Sequence, residues 1–503
     1  MATTTAASPI GSATEAVSYG TPAYRFYVLF MLTLVYTLNF IDRNLVNVIA
    51  QPIITEFHLS DSQYGFLNGP PFAIFYAVMG IPIAMAADRY NRVVIIAICI
   101  SIWSVMTALC GFATSFLFLL MARIGVAIGE AGSTPPSNSI LADYYKPRNR
   151  AAALAVFAMG VTIGSALANY FGGPIARNLN GPALQKLFEA WDWSWALGVT
   201  DWSQVAGWRA AFVVIGAPGI IIGLITLFTV KEPPRGYSDP PGTAPQKRAG
   251  MLETLKDLAG KPTFWTMALG AATVGLVGYG LVGFQAPMAQ RIHGVDPGTF
   301  ALQFGGPLAL AAAFGTFMGG MIVDRVSHKY QAAVAVVPAI GMIVAIPLYF
   351  YAFTRPTEDL YSVARPVWCI AILAHYMYLG SQYTIGQGVV HQRSRASAIA
   401  ILLLLIALIG NGLGPQIVGW MSDMFMSMEL GKASFGGVLS TELCRNAAEV
   451  AKLPLEQQAV CKAAYGEGLR TSMMATVLFL IPAAVFFYLS SLTLKKDMVA
   501  KHV

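Results

Sequence analysis

Four ionisable side chains stand where their surroundings are least able to solvate them. Asp42, Arg43, Arg123 and Glu130 each lie inside a long apolar run, away from the charge clusters that separate such runs. A charged group in hydrocarbon costs roughly 2.5–3.5 kcal/mol on insertion scales, so each must face a cavity or a partner. Arg123 and Glu130 are seven residues apart. That is nearly two helical turns, which places them on one helix face about 10 Å apart along the axis. Asp42 and Arg43 are adjacent, point about 100° apart and are expected to serve different partners. The chemistry open to such a set is proton exchange on Asp42 and Glu130, because burial disfavours an ionised carboxylate and a nearby guanidinium favours it. The plainer reading is a static ion-pair network joining two helices, although apolar packing replaces a fixed buried pair at little loss.

The elements that must position these groups follow from composition. The chain has 503 residues, 56% hydrophobic and only 11% charged, with a mean hydropathy of +0.60. A soluble domain carries about a quarter charged residues. Lipid offers the backbone no hydrogen bonds, so each apolar run of about 20 residues must be a helix. Twelve runs meet that demand: 25–52, 63–87, 92–113, 115–142, 149–175, 207–230, 262–291, 297–323, 330–353, 364–390, 395–420 and 469–493. The seventh holds Gly270, Gly275, Gly278, Gly280 and Gly283 and is expected to bend or unwind locally. Pro135 and Pro136 are expected to bend the fourth just beyond Glu130, and Pro70 with Pro71 to do the same in the second.

The net charge of +7 reads as topology and not as a nucleic-acid footprint, because the basic residues sit in short clusters between apolar runs. With both termini inside, cytoplasmic segments hold 19 of the 32 Lys and Arg residues, as the positive-inside rule requires. Residues 1–24 are polar, lack an apolar core and are read as a disordered cytoplasmic segment, not a cleaved signal peptide. Residues 25–231 form one six-helix bundle, 232–261 a cytoplasmic linker, and 262–494 a second bundle with an extracytoplasmic loop at 421–468; residues 495–503 are a tail. Within the linker, Met251–Leu258 is expected to be an amphipathic helix on the membrane surface.

The two bundles repeat each other. Ala84-x-x-x-Asp88-Arg89-x-Asn91-Arg92 follows the second run, and Gly320-x-x-x-Asp324-Arg325-x-Ser327-His328-Lys329 follows the eighth, with the aspartates 236 residues apart. Arg148-x-Arg150 is echoed by Arg393-x-Arg395. Two matched signals at nearly constant offset mark an internal duplication. On these residues the chain resembles the major facilitator superfamily from about residue 25 to 494. Asn39-x-x-Asp42-Arg43, Asp88-Arg89-Tyr90-Asn91-Arg92 and Arg123-x-Gly125-x-x-x-Gly129-Glu130-Ala131 further resemble the Spinster family. Ala84 and Asn91 depart from glycines common in the motif; Ala is small and Asn accepts a left-handed turn.

The resemblance implies an all-α membrane fold of two pseudo-symmetric six-helix bundles, with helices 1, 4, 7 and 10 lining a central cavity. It implies proton-linked transport of lysolipids or sphingosine 1-phosphate, with the proton as coupling ion and no other cofactor. Asp42 and Glu130 are then the proton-coupling acids, and Arg43 and Arg123 the partners of an anionic head group. Asn39, Tyr279, Phe284, Gln285, His375, Tyr376, Gln382 and Tyr383 become cavity residues. Such a cavity is charged on one half and neutral and aromatic on the other, which suits an amphiphile. Asp88, Arg89, Arg92, Asp324, Arg325 and Lys329 are expected to gate the cytoplasmic face by holding the halves together. His375 is read first as a hydrogen-bonded core histidine.

Other classes lose ground. There is no Walker loop, no His-Glu-x-x-His, no paired-cysteine zinc motif and no Gly-x-Ser-x-Gly elbow, so neither ATP-driven, metal-dependent nor hydrolytic chemistry is expected. Cys444 and Cys461 share one outer loop and are a candidate disulfide; Cys99, Cys110 and Cys369 read as packing residues. Trp191, Trp193, Trp195 and Trp202 read as an interfacial belt. The chain lacks any Asn-X-Ser/Thr sequon, and a monomer in a bacterial inner membrane is expected. The rival substrate is a small organic anion carried with protons. A receptor on a transporter scaffold and an intramembrane lipid enzyme are further alternatives, each lacking a feature it needs: an added soluble domain, or a nucleophile–base pair.

Overall fold

The computed structural model describes residues 18–193, 205–238, 251–432 and 439–499. It contains twelve helices long and apolar enough to cross a membrane, here α1 to α12 in chain order. The first bundle comprises α1 (Pro22–Val48), α2 (Asp61–Arg89), α3 (Arg92–Cys110), α4 (Phe116–Tyr144), α5 (Pro147–Asn178) and α6 (Gly207–Thr229). The second comprises α7 (Pro262–His293), α8 (Pro297–Ser327), α9 (Ala333–Phe353), α10 (Thr357–Gly388), α11 (Arg395–Lys432) and α12 (Leu455–Asp497). With an even number of spans, α1 begins and α12 ends on one face, the terminal face; the other is the far face.

Local chemistry sets where these helices start and break. Thr21 caps α1, its hydroxyl accepting from the Tyr24 N–H, with Pro22 at the first helical position; a proline there forgoes a donor that has no helical partner anyway. Asn91 caps α3 by accepting from the Val94 N–H at 3.0 Å. Its φ is −65°, so it serves as a cap and not as the left-handed residue expected from the sequence. The fourth span breaks where its prolines demand: Phe116–Glu130 ends at a tight turn over 131–133, and Thr134–Tyr144 resumes through Pro135 and Pro136. The second span likewise divides at Gly69, ahead of Pro70 and Pro71.

Three expectations need correction. Despite its glycines, α7 is continuous from Pro262 to His293. Those glycines serve close packing: a Cβ on Gly280 would lie 3.1 Å from the Gly414 carbonyl, and one on Gly275 would lie 3.5 Å from Gly410. The linker helix Met251–Ala259 docks on the second bundle and not on a membrane surface. Leu258 is buried, Glu253 pairs with Arg393 at 3.3 Å, and the Trp265 indole donates to the Leu258 carbonyl at 3.0 Å. Its apolar face meets α7 and α11 before it can meet lipid. The stretch 421–468 is mostly helical, because α11 runs on to Lys432 and α12 starts at Leu455. At 43 residues, α12 is about 65 Å long, roughly twice the hydrocarbon thickness, so it projects beyond the bilayer.

At the terminal face the first bundle is stitched to the chain that leaves it. The buried Arg92 binds Asp143 at 2.5 Å, Glu232 at 2.6 Å and the Pro233 carbonyl at 2.9 Å. Asp143 also accepts from the Gly236 N–H. Removing one partner of a buried charge network typically costs about 3–5 kcal/mol. Arg92→Ala is expected to lower the thermal unfolding midpoint clearly in detergent, and an unchanged midpoint would contradict this assignment.

Candidate functional site: a charged centre beneath a sealed face

The break in α4 leaves Glu130 at the end of a helical segment, where α1 passes with Asn39, Asp42 and Arg43. Glu130 is fully buried. Arg43 donates to one of its oxygens twice, from Nη2 at 2.7 Å and Nε at 3.1 Å. Asp42 accepts at Oδ2 from the Thr107 hydroxyl of α3, at 3.2 Å. The two adjacent residues of α1 therefore serve different partners, as their angular separation requires. Arg123 does not pair with the glutamate on its own helix face. Its guanidinium lies 5.0 Å from the centroid of the Phe72 ring, and Nε and Nη1 have no hydrogen-bond partner. Asp42 Oδ1, Glu130 Oε1 and Asn39 Nδ2 are also buried and unpartnered.

That set is chemically unbalanced in an informative way. A buried polar atom without a partner costs about 1–3 kcal/mol, more when charged. Here the second oxygens of Asp42 and Glu130 face Trp103 and Asn39 without a close hydrogen bond, and Arg123 lacks an acceptor on two nitrogens. The centre can take a proton on its acids and an anionic group on its cations.

Around it stands an aromatic wall that sequence reasoning only partly found. Arg43 lies 5.1 Å from the Phe40 and Phe72 ring centroids and 4.8 Å from that of Tyr76. All three come from α1 and α2, so the first bundle supplies aromatic surface as well as charge. The signal in the sequence is spacing: Phe40 is three residues before Arg43, and Phe72 and Tyr76 are one turn apart after the Pro-Pro break. From the second bundle, Tyr279 is within electrostatic reach of Arg43 while 40% exposed, which is the behaviour of a side chain on an open cavity wall. Tyr383 is similarly exposed.

Other expected cavity residues are placed differently. Phe284 is fully buried with its ring edge-on to Tyr64, 5.3 Å between centroids, so it belongs to the packed layer between the bundles. His375 is buried, bonded to the Tyr349 hydroxyl at 3.1 Å and stacked on Tyr376; this is the core histidine of the plainer reading. Gln382 is buried with Oε1 unpartnered. Gln285 is half-buried.

Above this layer the far face is closed by an ion pair that sequence reasoning missed. Asp61 opens α2 and Arg291 nearly ends α7, and they meet in a bidentate pair at 2.6 and 2.7 Å. Both are almost wholly buried, 2% and 3% exposed at the side chain. Further partners surround the pair: Ser422 of α11 donates to Asp61 at 2.6 Å, Arg291 Nε donates to Gln51 at 2.8 Å, and the Arg291 guanidinium lies 3.8 Å from the Tyr465 ring centroid. Asp61 and Asp296 stand 235 residues apart, one less than the repeat already visible at Asp88 and Asp324, and that offset was the available signal. Asp296 makes the matching contact between bundles at the other seam, 3.6 Å from Arg177 of α5, although largely in solvent.

Backbone contact completes both seams. A Cβ on Gly69 would collide with the Gly412 carbonyl, and one on Gly419 with that of Asp61. At the other seam π-helical turns at Ala168–Gly172 and Ala301–Gly305 face each other, and a Cβ on Gly305 would strike Asn169.

At the terminal face the expected gate residues behave otherwise. Asp88, Arg89, Asp324, Arg325 and Lys329 are exposed and carry no ion pair among the described residues. Arg92 is engaged within its own bundle and the linker, so it does not join the halves.

Comparison with known proteins fits this geometry. A family model described as Major Facilitator Superfamily matches residues 32–415. A bacterial homologue of the human lysosomal transporter Spinster, solved in an inward-facing and unoccupied conformation, is 49% identical; the match covers 96% of this chain and 100% of that one, with a TM-score of 0.89. An MFS-type efflux pump of Mycolicibacterium smegmatis is 30% identical over 414 residues, 81% of this chain and 87% of its own. A sphingosine-1-phosphate transporter of Danio rerio is 26% identical over 405 residues, 77% of this chain and 74% of its own.

The buried pair between bundles can be tested directly. Asp61→Ala leaves Arg291 buried without its counter-charge, a loss of about 3–5 kcal/mol to the closed far face. Asn68→Cys, one layer deeper, is the reporter, in a background with Cys99, Cys110 and Cys369 replaced by Ala. Its labelling by a membrane-impermeant maleimide from the far side should rise at least tenfold with Asp61→Ala; an unchanged rate would refute the seal.

Proposed function

Because the chain belongs to the major facilitator superfamily and is a Spinster-like transporter, we propose that it carries an anionic amphiphile across the membrane coupled to protons, by alternating access. The observation that carries this reading is the charged centre itself: two buried acids and a buried arginine, each with unpartnered atoms, beside an aromatic wall. An anionic head group binds Arg123 and competes with Glu130 for Arg43 through charge-assisted hydrogen bonds. Glu130, left buried without its cation, takes up a proton; Asp42 is the second acceptor. The two acids are then best treated as one coupled titrating unit. The apolar tail lies along the Phe40, Tyr76 and Tyr279 surface, with the buried Phe72 ring behind it. A sphingosine-1-phosphate transporter among the relatives supports a phosphorylated or otherwise anionic lipid as substrate class.

The terminal face is read as cytoplasmic, since it receives most of the Lys and Arg. The far-face pair is then the outer gate and the conformation inward-facing, like that of the 49% identical neighbour. Release on the far side makes the protein an exporter, in a bacterial inner membrane and as a monomer. The terminal-face aspartates Asp88 and Asp324, each beside basic residues, would hold the halves together once the far face opens. The second reading, proton-coupled symport of a small organic anion, rests on the same arginines and needs no apolar tail surface.

Two measurements separate these readings. In proteoliposomes under an imposed pH gradient, Asp42→Asn combined with Glu130→Gln should abolish gradient-driven lipid movement while gradient-free exchange persists; full gradient dependence in the double variant would overturn proton coupling. In a thermal-shift panel, lysophospholipids and sphingosine 1-phosphate should raise the unfolding midpoint and short carboxylates should not, with Arg123→Ala removing the response. The reverse ranking would favour the small anion.

A further inference from the structure

The short helices Thr441–Arg445 and Ala447–Val450 precede α12 on the far face. Cys444, in the first of them, is disulfide-bonded to Cys461 near the start of α12. Cys444 and Cys461 join Met426 and Ala464 in a small buried cluster, with Leu443 and Val450 packed against it. This cap therefore has its own core and belongs wholly to the second bundle. Its polar contacts, however, reach the first bundle.

Arg445, the residue after the disulfide cysteine, donates to Asp423 Oδ1 at 2.8 Å. Asp423 in turn accepts the backbone N–H groups of Asp61 and Ser62, at 3.1 and 2.9 Å. These are the first two residues of α2, whose N–H groups have no partner within the helix, and a carboxylate there is further favoured by the helix dipole. On the α12 side, Tyr465 lies against the Arg291 guanidinium and its hydroxyl accepts from Gln51 Nε2 at 3.3 Å. Between these two contacts is a cavity of about 510 Å³, walled by Gln51 and Thr55 on one side and Arg445, Gln458 and Lys462 on the other. The cap side thus meets the first bundle directly through Tyr465 and Gln51, and indirectly through Arg445, whose partner Asp423 of α11 holds α2, at polar points. Contacts of that kind release and re-form without exposing a core.

We infer that the disulfide-bonded cap is a latch on the far face, in which Cys444–Cys461 fixes the backbone at Arg445, Arg445 fixes Asp423, and Asp423 holds the first turn of α2 in the closed position. This rests on the alternating-access reading of the previous subsection. Arg445 and Asp423 are positioning residues: they act on the Asp61–Arg291 gate through the N-terminus of α2. A disulfide restricts the conformations open to the segment it closes. Without it the cap can carry Arg445 away from Asp423, and the negative charge that grips α2 is no longer held in place.

The test uses the Asn68→Cys reporter and far-side maleimide labelling in proteoliposomes of the full chain, with thermal midpoints recorded in parallel. Cys444→Ser with Cys461→Ser should speed labelling several-fold. Arg445→Ala with the disulfide intact should do the same, and Arg445→Lys should restore most of the slow labelling. Combining the cysteine changes with Arg445→Ala should add little, because both release one latch; simple loss of stability would add. If Asp61→Ala speeds labelling while neither the cysteine pair nor Arg445→Ala does, the latch is wrong and the gate stands. If Asp61→Ala also has no effect, the gate itself is wrong, and with it the reading on which the latch rests.

Discussion

A charge withdrawn from water must find a partner, and the two ways this protein meets that demand define its two working parts. At the far face, Asp61 and Arg291 satisfy each other and are further engaged by Ser422, Gln51 and Tyr465. In the centre, Arg43 and Glu130 are paired, but Arg123, Asp42, Asn39 and the second Glu130 oxygen are left with unfilled capacity. A saturated buried pair is costly to break and so holds one arrangement. An unsaturated one stores a need for a proton or an anion and so responds to whatever arrives. The first is built across the bundles, the second within one of them, which is why opening the seal and loading the site are different events.

The same division governs the backbone. Where bundles meet at the far face, glycines on α2, α5, α8 and α11 let main chain approach main chain, and π-helical turns on three of these helices adjust which residues face the seam. Such surfaces fit in one register only. Under the proposed alternating access, separation would therefore be all or none, as rigid-body movement of two halves requires. The glycines of α7 instead pack it against α11 within the second bundle and leave it unbroken from Pro262 to His293.

Much of this was legible beforehand, because it followed from solvent and not from shape. Hydropathy found twelve spans, since a lipid-exposed backbone has only one way to bond itself. Proline chemistry located the breaks after Glu130 and at Gly69. The angular separation of Asp42 and Arg43 correctly gave them separate partners. Hydropathy stopped short at α11 and α12, whose polar extensions stand in water and carry no apolar signal. It also placed the helix Met251–Ala259 on the membrane, since amphipathicity states that a face will be buried but not against what.

The chain by itself determined the membrane class, the duplication, the family and the four buried charges, because each depends on composition, period or local motif. Only the tertiary structure decided that Arg43 and not Arg123 pairs with Glu130, that Phe284 and His375 lie in packed layers, and that Asp61 finds Arg291. Those outcomes depend on which faces of distant helices meet. Residues 230 apart in sequence become neighbours only once packing has fixed the distance and angle between the elements that carry them.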